Sequence, residues 1–175
     1  MERSVSDLNN SDTHTHKLHG TWTLYAHLPH DTDWSAASYK KIMVVDTVEE
    51  AVLLTETLPH KMIKNCMLFL MRGNIKPMWE DPDNRKGGSF SYKVSNRIVP
   101  ETWRTLTYST VGETLGSSLI IQKAVNGITI SPKKNFCVIK VWMANCNNHN
   151  PNVIQPVCPA ITSYGCLFKT HSPQF

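Results

Sequence analysis

The sequence predicts an α+β fold in which one β-sheet carries helices on one face. Seven short segments rich in β-branched and aromatic residues are separated by Gly, Pro or Asn, which is the pattern of β-strands. Two segments between them repeat apolar residues at helical spacing. The chain has 175 residues and a hydrophobic content of 41%, which fits one globular domain with a single core.

The predicted strands run through most of the chain, and the two predicted helices interrupt the series. Each strand segment is short and is bounded by residues that favour turns. The segments cover residues 18–28, 39–45, 66–71, 89–94, 127–131, 137–143 and 161–169.

Both predicted helices have a recognisable beginning. Thr47 and Glu50 have the spacing of a capping box, so the first helix is expected to begin directly after Thr47. The second is expected to begin at Pro100, whose fixed φ suits a first helical turn, and to carry Trp103 and Leu106 on its apolar face. The Asn-rich and Pro-rich stretch 145–159 predicts no ordinary helix.

Composition limits where the protein acts and what it binds. Residues 1–15 are polar and predict a flexible tail, and residues 16–175 are expected to form the single domain. No stretch is long and apolar enough to span a bilayer, and no secretion signal is evident, so we expect a cytoplasmic protein without membrane contacts. The net charge of +4 favours an RNA partner, but selectivity must come from a specific site.

Five cysteines are an odd number in a chain without a secretion signal, which favours reduced thiols over a disulfide framework. The alternative to free thiols is a zinc site formed by Cys146, His149, Cys158 and Cys166. Their spacing is irregular and contains no Cys-x-x-Cys pair, so the sequence favours neither a metal nor a cofactor.

Motifs typical of hydrolytic enzymes are absent from the sequence. It lacks Gly-x-Ser-x-Gly, a glycine-rich phosphate loop and His-Glu-x-x-His. Glu80 and Asp81 could support acid–base chemistry, but Asp81 is better explained as a carboxylate that braces its own loop. We therefore expect a binding protein and not an enzyme.

Trp34, Trp79 and Glu80 are the candidate binding residues. Turn-forming residues flank Trp79 and Glu80, which places both on a loop, where a tryptophan is usually exposed or functional. Two indoles around a flat cationic ring gain stacking and cation–π attraction, about 1–3 kcal/mol each. A carboxylate can accept two adjacent N–H groups from the ring edge. A 7-methylguanine meets both requirements; the alternative is two core tryptophans beside an acidic turn.

At these residues the chain resembles the eukaryotic translation initiation factor 4E family, the cytoplasmic mRNA cap-binding proteins. The resemblance spans roughly residues 16–142 and is most specific around the loop tryptophan. The residues that carry it are Ile75-Lys76-Pro77-Met78-Trp79-Glu80-Asp81, Asn84, Lys86-Gly87-Gly88, His16, Leu18, Trp22-Thr23-Leu24-Tyr25, Trp34, Asp46-Thr47-Val48-Glu49-Glu50, Gly112-Glu113 and Val141-Trp142.

The resemblance implies a strongly curved antiparallel β-sheet with helices on its convex face and a cap slot on its concave face. It implies that Trp34 and Trp79 stack on the 7-methylguanine base of the mRNA cap. Glu80 would recognise the base edge, and Trp142 would approach the N7 methyl group.

The resemblance also assigns the cap phosphates to Lys133, with Lys134 assisting. Contacts of this kind fix the register of the ligand and add salt-dependent affinity. Two other basic positions of the family fall on Val138 and Ser89, so the expected phosphate site has fewer basic side chains or is shifted.

On the helical face the resemblance implies a monomer that binds an amphipathic helix of a scaffold or regulatory protein. The expected partner-binding residues are His16, Val48, Val52, Arg104, Tyr108 and Gly112. Val52 replaces the family's tryptophan anchor. Loss of such an anchor commonly weakens binding of the partner by about 2–4 kcal/mol. The implied function is recruitment of capped mRNA to the ribosome through a scaffold; the alternative is a cap-binding repressor or sequestering protein that does not engage the usual scaffold.

Overall fold

The computed structural model describes residues 15–173, so the predicted tail at residues 1–15 lies outside the described residues except for its last position. Seven strands form one sheet in which every neighbouring pair is antiparallel. They are β1 Lys17–His27, β2 Lys40–Thr47, β3 Met67–Arg72, β4 Gly88–Ser95, β5 Val125–Pro132, β6 Phe136–Met143 and β7 Leu167–Thr170. Their order across the sheet is β2-β1-β3-β5-β6-β4-β7.

The strand prediction is confirmed in number and order, but its last member was too long. Residues 161–169 were expected to form a strand, whereas β7 covers only Leu167–Thr170. Gly165 has φ +71° and turns the chain just before β7 begins. Ile161 is buried in the core and makes only an isolated bridge to Cys158.

Four helices accompany the sheet: α1 Val48–Thr57, α2 His60–Asn65, α3 Val99–Val111 and α4 Leu119–Ala124. The predicted capping box of α1 is present, because Thr47 Oγ1 accepts from the Glu50 N–H and the Glu50 carboxylate accepts from the Thr47 N–H, both at 3.2 Å. Pro100 lies in the first turn of α3, as predicted. Residues 145–159 contain only a short 3-10 helix, Pro151–Val153, which agrees with their proline content.

The two faces of the curved sheet have different neighbours. On the convex face the main core joins the sheet to the helices, with Trp22, Leu70 and Ile128 packed in the same cluster as Trp103 and Leu106 of α3. The alternate residues of the same strands point to the concave face. There a second, smaller cluster contains Tyr25, Phe69, Met71 and Trp142. Among the described residues, the concave face therefore carries a mainly aromatic cluster, while the main core and its helices lie on the other face.

Candidate functional site

A cavity of about 780 Å³ lies on the concave face, and we call it the concave cavity. Its lining is mainly aromatic and apolar, with Glu80 and Lys140 as its charged members. The lining residues are Trp34, Tyr39, Met67, Phe69, Pro77, Met78, Trp79, Glu80, Thr129, Ser131, Lys140 and Trp142.

The loop that carries Trp79 and Glu80, residues 76–84, is held by its own side chains. The Asp81 carboxylate accepts hydrogen bonds from the backbone N–H groups of Lys76 at 2.8 Å and Asp83 at 2.9 Å. Asn84 is fully buried, and its Nδ2 donates to the carbonyls of Lys76 at 2.8 Å and Met78 at 2.9 Å. Asp81 therefore braces the loop, as the sequence indicated.

Two residues from distant parts of the chain fix the same loop to the sheet. Asn126 of β5 donates from Nδ2 to Asn84 Oδ1 at 3.0 Å and to the Asp83 carbonyl at 2.8 Å. His171, just after β7, donates from Nδ1 to the Asn84 carbonyl at 2.7 Å. Because these bonds are buried or partly buried, they hold the loop more firmly than exposed ones would.

Trp34 lies on the loop after β1, and 54% of its surface is exposed, so it is not a core tryptophan. One face of its indole stacks on the His27 ring, with centroids 4.0 Å apart and planes 5° apart. His27 is buried, and its Nε2 donates to the Asp33 carbonyl at 2.8 Å. Two hydrogen bonds donated by Ser35 lower the pKa of the Asp33 carboxyl group and help to order the loop.

Trp79 is half-buried and also stacks on a histidine. Its ring centroid lies 5.7 Å from that of His171, with planes 13° apart. His171 also contacts Trp142, at 4.7 Å between ring centroids. Trp142 itself is buried in the floor, where its Nε1 donates to Thr129 Oγ1 at 3.1 Å. Each tryptophan that flanks the concave cavity is thus backed by an imidazole.

The environment shifts the pKa values of several groups at this site, among them His171 and Tyr39. The pKa of His171 is lowered, mainly because burial disfavours the imidazolium form, although the hydrogen bond to Asn84 acts in the opposite direction. The pKa of the Tyr39 hydroxyl is raised by burial and then by the negative charge of Glu80. Both Glu80 and Tyr39 line the concave cavity.

Lys140 is the charged residue of the concave cavity that the sequence analysis did not predict. It precedes Trp142 by two positions on β6, so both side chains point to the concave face. Burial lowers the pKa of Lys140, and the neighbouring charges of Lys169 and Lys133 lower it further. The alternation of β6 was the available signal, since any residue two positions from Trp142 must share its face.

The predicted phosphate ligands Lys133 and Lys134 do not line the concave cavity. Both are exposed at the turn between β5 and β6, where the Lys133 N–H donates to the Phe136 carbonyl at 2.8 Å. Lys133 still lies near enough to act on the charge of Lys140.

The predicted partner residues of the helical face lie on the side of the sheet away from the concave cavity. Val48 and Val52 of α1 are exposed, and the Val48 N–H donates to the His16 carbonyl at 2.8 Å. His16 Nδ1 also bonds to Glu49 at 2.6 Å, which is the main reason that the pKa of Glu49 falls to about 2.

The remaining three partner residues belong to α3 and its C-terminal end. Arg104 pairs with Glu56 of α1 at 3.2 Å, and the Tyr108 hydroxyl lies 2.5 Å from the Thr55 hydroxyl. Gly112 ends α3, and its N–H donates to the Tyr108 carbonyl at 2.9 Å. Contacts between α1 and α3 therefore occupy part of this surface.

The alternative zinc ligands do not form a cluster. No group of three or more His, Cys, Asp and Glu side chains is placed to hold a metal ion within residues 15–173. Cys146 faces the Lys86 carbonyl at 3.6 Å, while His149 stacks on Phe168 with centroids 4.4 Å apart.

Within residues 15–173, no helix is long and apolar enough to cross a membrane.

Comparisons with known proteins agree with this geometry. Translation initiation factor 4E-2 of Schizosaccharomyces pombe is 32% identical over 141 residues, which is 77% of this chain and 56% of that protein. The factor 4E homologue of Acanthamoeba polyphaga mimivirus is 27% identical over 136 residues, 66% of this chain and 50% of that protein. The chain thus spans about half the length of the curated relatives it matches.

Solved structures show the same fold. Schistosome eIF4E, in complex with m7GpppG and 4E-BP, has a TM-score of 0.68 at 23% identity over 77% of this chain and 75% of that one. Ascaris suum eIF4E-3, in complex with an m7G cap, has a TM-score of 0.67 at 24% identity over 79% and 78%. The family model described as eukaryotic initiation factor 4E matches residues 17–162, and with the shared curved sheet and relatives this shows that the chain belongs to that family.

Proposed function

We propose that the concave cavity binds the 7-methylguanosine cap of mRNA and that residues 16–175 form a single cap-binding domain. The observation that carries the proposal is the position of Trp34 and Trp79, two accessible indoles on separate loops, at the wall of a cavity that also contains Glu80. Solved relatives with the same fold hold m7G and m7GpppG caps.

The two indoles select for methylation through charge. A ring methylated at N7 is cationic, and stacking against an indole adds cation–π attraction that unmethylated guanine lacks, about 0.5–2 kcal/mol per contact. His27 already covers one face of Trp34, so the base stacks on the part of that indole directed to the cavity. Trp142 forms the floor close to the methyl group.

Glu80 recognises guanine through its edge. The N1–H and N2–H groups point in the same direction and can both donate to one carboxylate, a geometry that adenine does not offer. The positive ring makes these hydrogen bonds charge-assisted. The loop bonds of Asp81 and Asn84 hold the carboxylate in place before the ligand arrives.

Lys140 binds the cap phosphates nearest the base. Lys133 binds the phosphates further from the base, and Lys134 assists. Lys140 lies on the cavity floor, where burial and neighbouring lysines already disfavour its positive charge. A bound phosphate removes that penalty, because an anion stabilises the ammonium form. The family's phosphate site is thus shifted along β6 in this chain.

Beyond cap binding, we propose a cytoplasmic, monomeric, non-enzymatic factor that brings capped mRNA to the ribosome through a scaffold. A related structure holds a 4E-binding protein together with the cap. A repressor or sequestering protein is the second candidate. It is favoured by the exposed Val52 at the anchor position and by the Arg104–Glu56 and Tyr108–Thr55 contacts, which compete with a partner helix.

Fluorescence titration tests the binding proposal. We expect 7-methyl-GTP to quench tryptophan emission and to bind at least tenfold more tightly than GTP, while Trp34→Ala weakens binding by about an order of magnitude. Equal affinities for the two nucleotides would contradict the proposal. A capped dinucleotide incubated with the protein should stay intact, and release of hydrolysis products would contradict the non-enzymatic assignment.

Retention on a cap resin separates the two candidate roles. A scaffold initiation factor that is recovered with the protein, and lost when free 7-methyl-GTP elutes it, supports a role in initiation. Efficient capture of the protein without a scaffold supports sequestration.

A further inference from the structure

We propose that a second depression, beside the concave cavity, binds the phosphates of the first nucleotides that follow the cap. This side depression has a volume of about 700 Å³; Lys64 and Lys133 supply its cationic side chains, and His30 also lines it. Among the described residues, no Asp or Glu lines it. The inference rests on the proposed function, because it extends the path of a ligand whose base is held in the concave cavity.

The side depression and the concave cavity are lined by residues that lie close together in the chain. Ser131 lines the concave cavity and Lys133, two residues further along, lines the side depression. In the same way Met67 lines the concave cavity, and Lys64, three residues earlier, lines the side depression. Two separate chain segments therefore pass from one recess into the other, so a ligand can extend between them.

The ribose and phosphates of a bound cap would leave the concave cavity on the side away from Glu80. The ribose is attached to guanine at N9, on the opposite side of the ring from the N1–H and N2–H groups that Glu80 would accept. Glu80 does not line the side depression. From the cavity floor the phosphates meet Lys140 and then Lys133, whose charges already act on each other. Lys64 continues this series of cations.

His30 lies in the side depression with an unusual backbone conformation. Its φ is +66°, in the left-handed region that residues other than glycine rarely adopt. Such conformations concentrate at functional sites. The turn is closed by the Asp31 N–H, which donates to the Leu28 carbonyl at 3.3 Å. His30 shares the lining of the side depression with Lys64 and Lys133, and a ring N–H there can donate to a phosphate oxygen.

The lining suits an RNA backbone and its bases. Lysines bind phosphates without regard to sequence, as a protein that serves many messages requires. Leu28, Pro29 and Pro132 add apolar surface on which an unstacked base can pack. A free inorganic phosphate would contact only the lysines, whereas an RNA chain would also contact the apolar surface. Tighter binding of capped RNA than of 7-methyl-GTP therefore indicates that the site binds an RNA backbone.

The test uses Lys64→Gln with Lys61→Gln as a matched control. Both lysines are exposed on α2, but only Lys64 lines the side depression. Affinities for 7-methyl-GTP, a short capped RNA and the same RNA without a cap are measured over a range of salt concentrations. We expect the capped RNA to bind more tightly than 7-methyl-GTP and with a steeper salt dependence. Lys64→Gln should reduce that slope by about 0.7, the value for one phosphate contact of a single strand, and leave 7-methyl-GTP unaffected.

The possible failures are distinguishable. Should 7-methyl-GTP bind while the capped RNA gains nothing over it, or should both lysine variants behave alike, the side depression is not an RNA site and the concave cavity stands. Equal binding of capped and uncapped RNA would also overturn the inference, because the two recesses would then not act on one ligand. Absence of 7-methyl-GTP binding to the unmodified protein would refute the proposed function and this extension together.

Discussion

At the scale of single residues, the candidate site depends on pairs of rings. His27 lies against Trp34 and His171 against Trp79, so each indole already has one aromatic neighbour before it can meet a base. These contacts limit the rotation of the tryptophan side chains. A ligand that stacks on an oriented ring loses less conformational entropy than one that must order it.

Replacing Glu80 tests base recognition directly. Glu80→Gln keeps the size of the side chain but removes its charge and one of two acceptors, so the affinity for 7-methyl-GTP should fall by about 1.5–3 kcal/mol, or roughly ten- to a hundredfold. Asp83→Asn is the control, since Asp83 is an exposed acid of the same loop that does not line the concave cavity. Isothermal titration calorimetry gives both values, and equal losses would assign the effect to overall charge.

The sequence was sufficient to place Trp79 and Glu80 on a loop, because turn residues next to them in the chain carry that signal. Lys140, His27 and His171 were missed for a different reason. A lysine in a strand and two isolated histidines have no local signature, and only strand register and loop packing bring them to the site.

At the scale of secondary-structure elements, the loop 76–84 is held by side-chain hydrogen bonds. Asn84, which is itself fully buried, donates to two carbonyls of the loop and accepts from Asn126. Together with the bonds of Asp81, this side chain supports the shape of the segment that carries Trp79.

Asn84→Asp should distort that loop although the shape of the side chain hardly changes. The carboxylate cannot donate to the carbonyls of Lys76 and Met78, and each lost hydrogen bond costs about 0.5–1.5 kcal/mol. We expect a lower unfolding temperature together with weaker binding of 7-methyl-GTP. Asn152→Asp, at an exposed position, should change neither quantity. Unchanged cap affinity in Asn84→Asp would show that the loop does not need this anchor.

Helix α1 offers a test of partner binding. Val52 is 43% exposed, and Val52→Trp restores the large apolar anchor that the family resemblance implies. We expect the affinity for a helical 4E-BP peptide to rise by about 2–4 kcal/mol. Leu53→Trp, at the neighbouring exposed position on a different side of the helix, should give little gain. Calorimetry with the peptide measures both, and similar gains would indicate unspecific hydrophobic attraction.

Elements with a strong local signal were predicted, and very short ones were not. The capping box of α1 and Pro100 of α3 marked the two long helices correctly. Helices α2 and α4 have six residues each, less than two turns, which is too short to show an apolar period. The beginning of the last strand was misplaced because the turn at Gly165 interrupts a sequence that otherwise resembles a strand.

At the scale of the whole molecule, the sheet separates two surfaces. The concave cavity and the exposed residues of α1 and α3 lie on opposite faces, and the main core lies between the sheet and the helices. Substitutions on the helical face are distant from the concave cavity, so their effects should add to those of cavity substitutions without coupling. Val52→Trp should accordingly leave the affinity for 7-methyl-GTP unchanged.

The stability of the fold should depend on pH through His171. Its pKa is lowered in the folded protein relative to the ordinary value of 6.5, so the unfolded chain binds the proton more readily. The contribution of His171 to the free energy of unfolding is complete above pH 6.5. It is lost as the pH falls toward the pKa of His171 in the folded protein. Asn at this position can replace the Nδ1 donor but does not titrate.

We therefore expect the unfolding temperature of the unmodified protein to fall more steeply between pH 7.5 and 5.5 than that of His171→Asn. Circular dichroism melts at matched ionic strength provide the comparison, and the remaining histidines are common to both proteins. Parallel curves would show that His171 takes up its proton equally well in the folded and unfolded chains.

The bond from His171 to Asn84 has a consequence for how the protein is made. Trp79 and Glu80 occur before the middle of the chain, yet the ring that backs Trp79 and anchors its loop is residue 171. A chain truncated before residue 171 would contain Trp34, Trp79 and Glu80 and still lack this anchor of the loop. Products of premature termination that end before His171 should therefore bind 7-methyl-GTP more weakly than a chain that includes it.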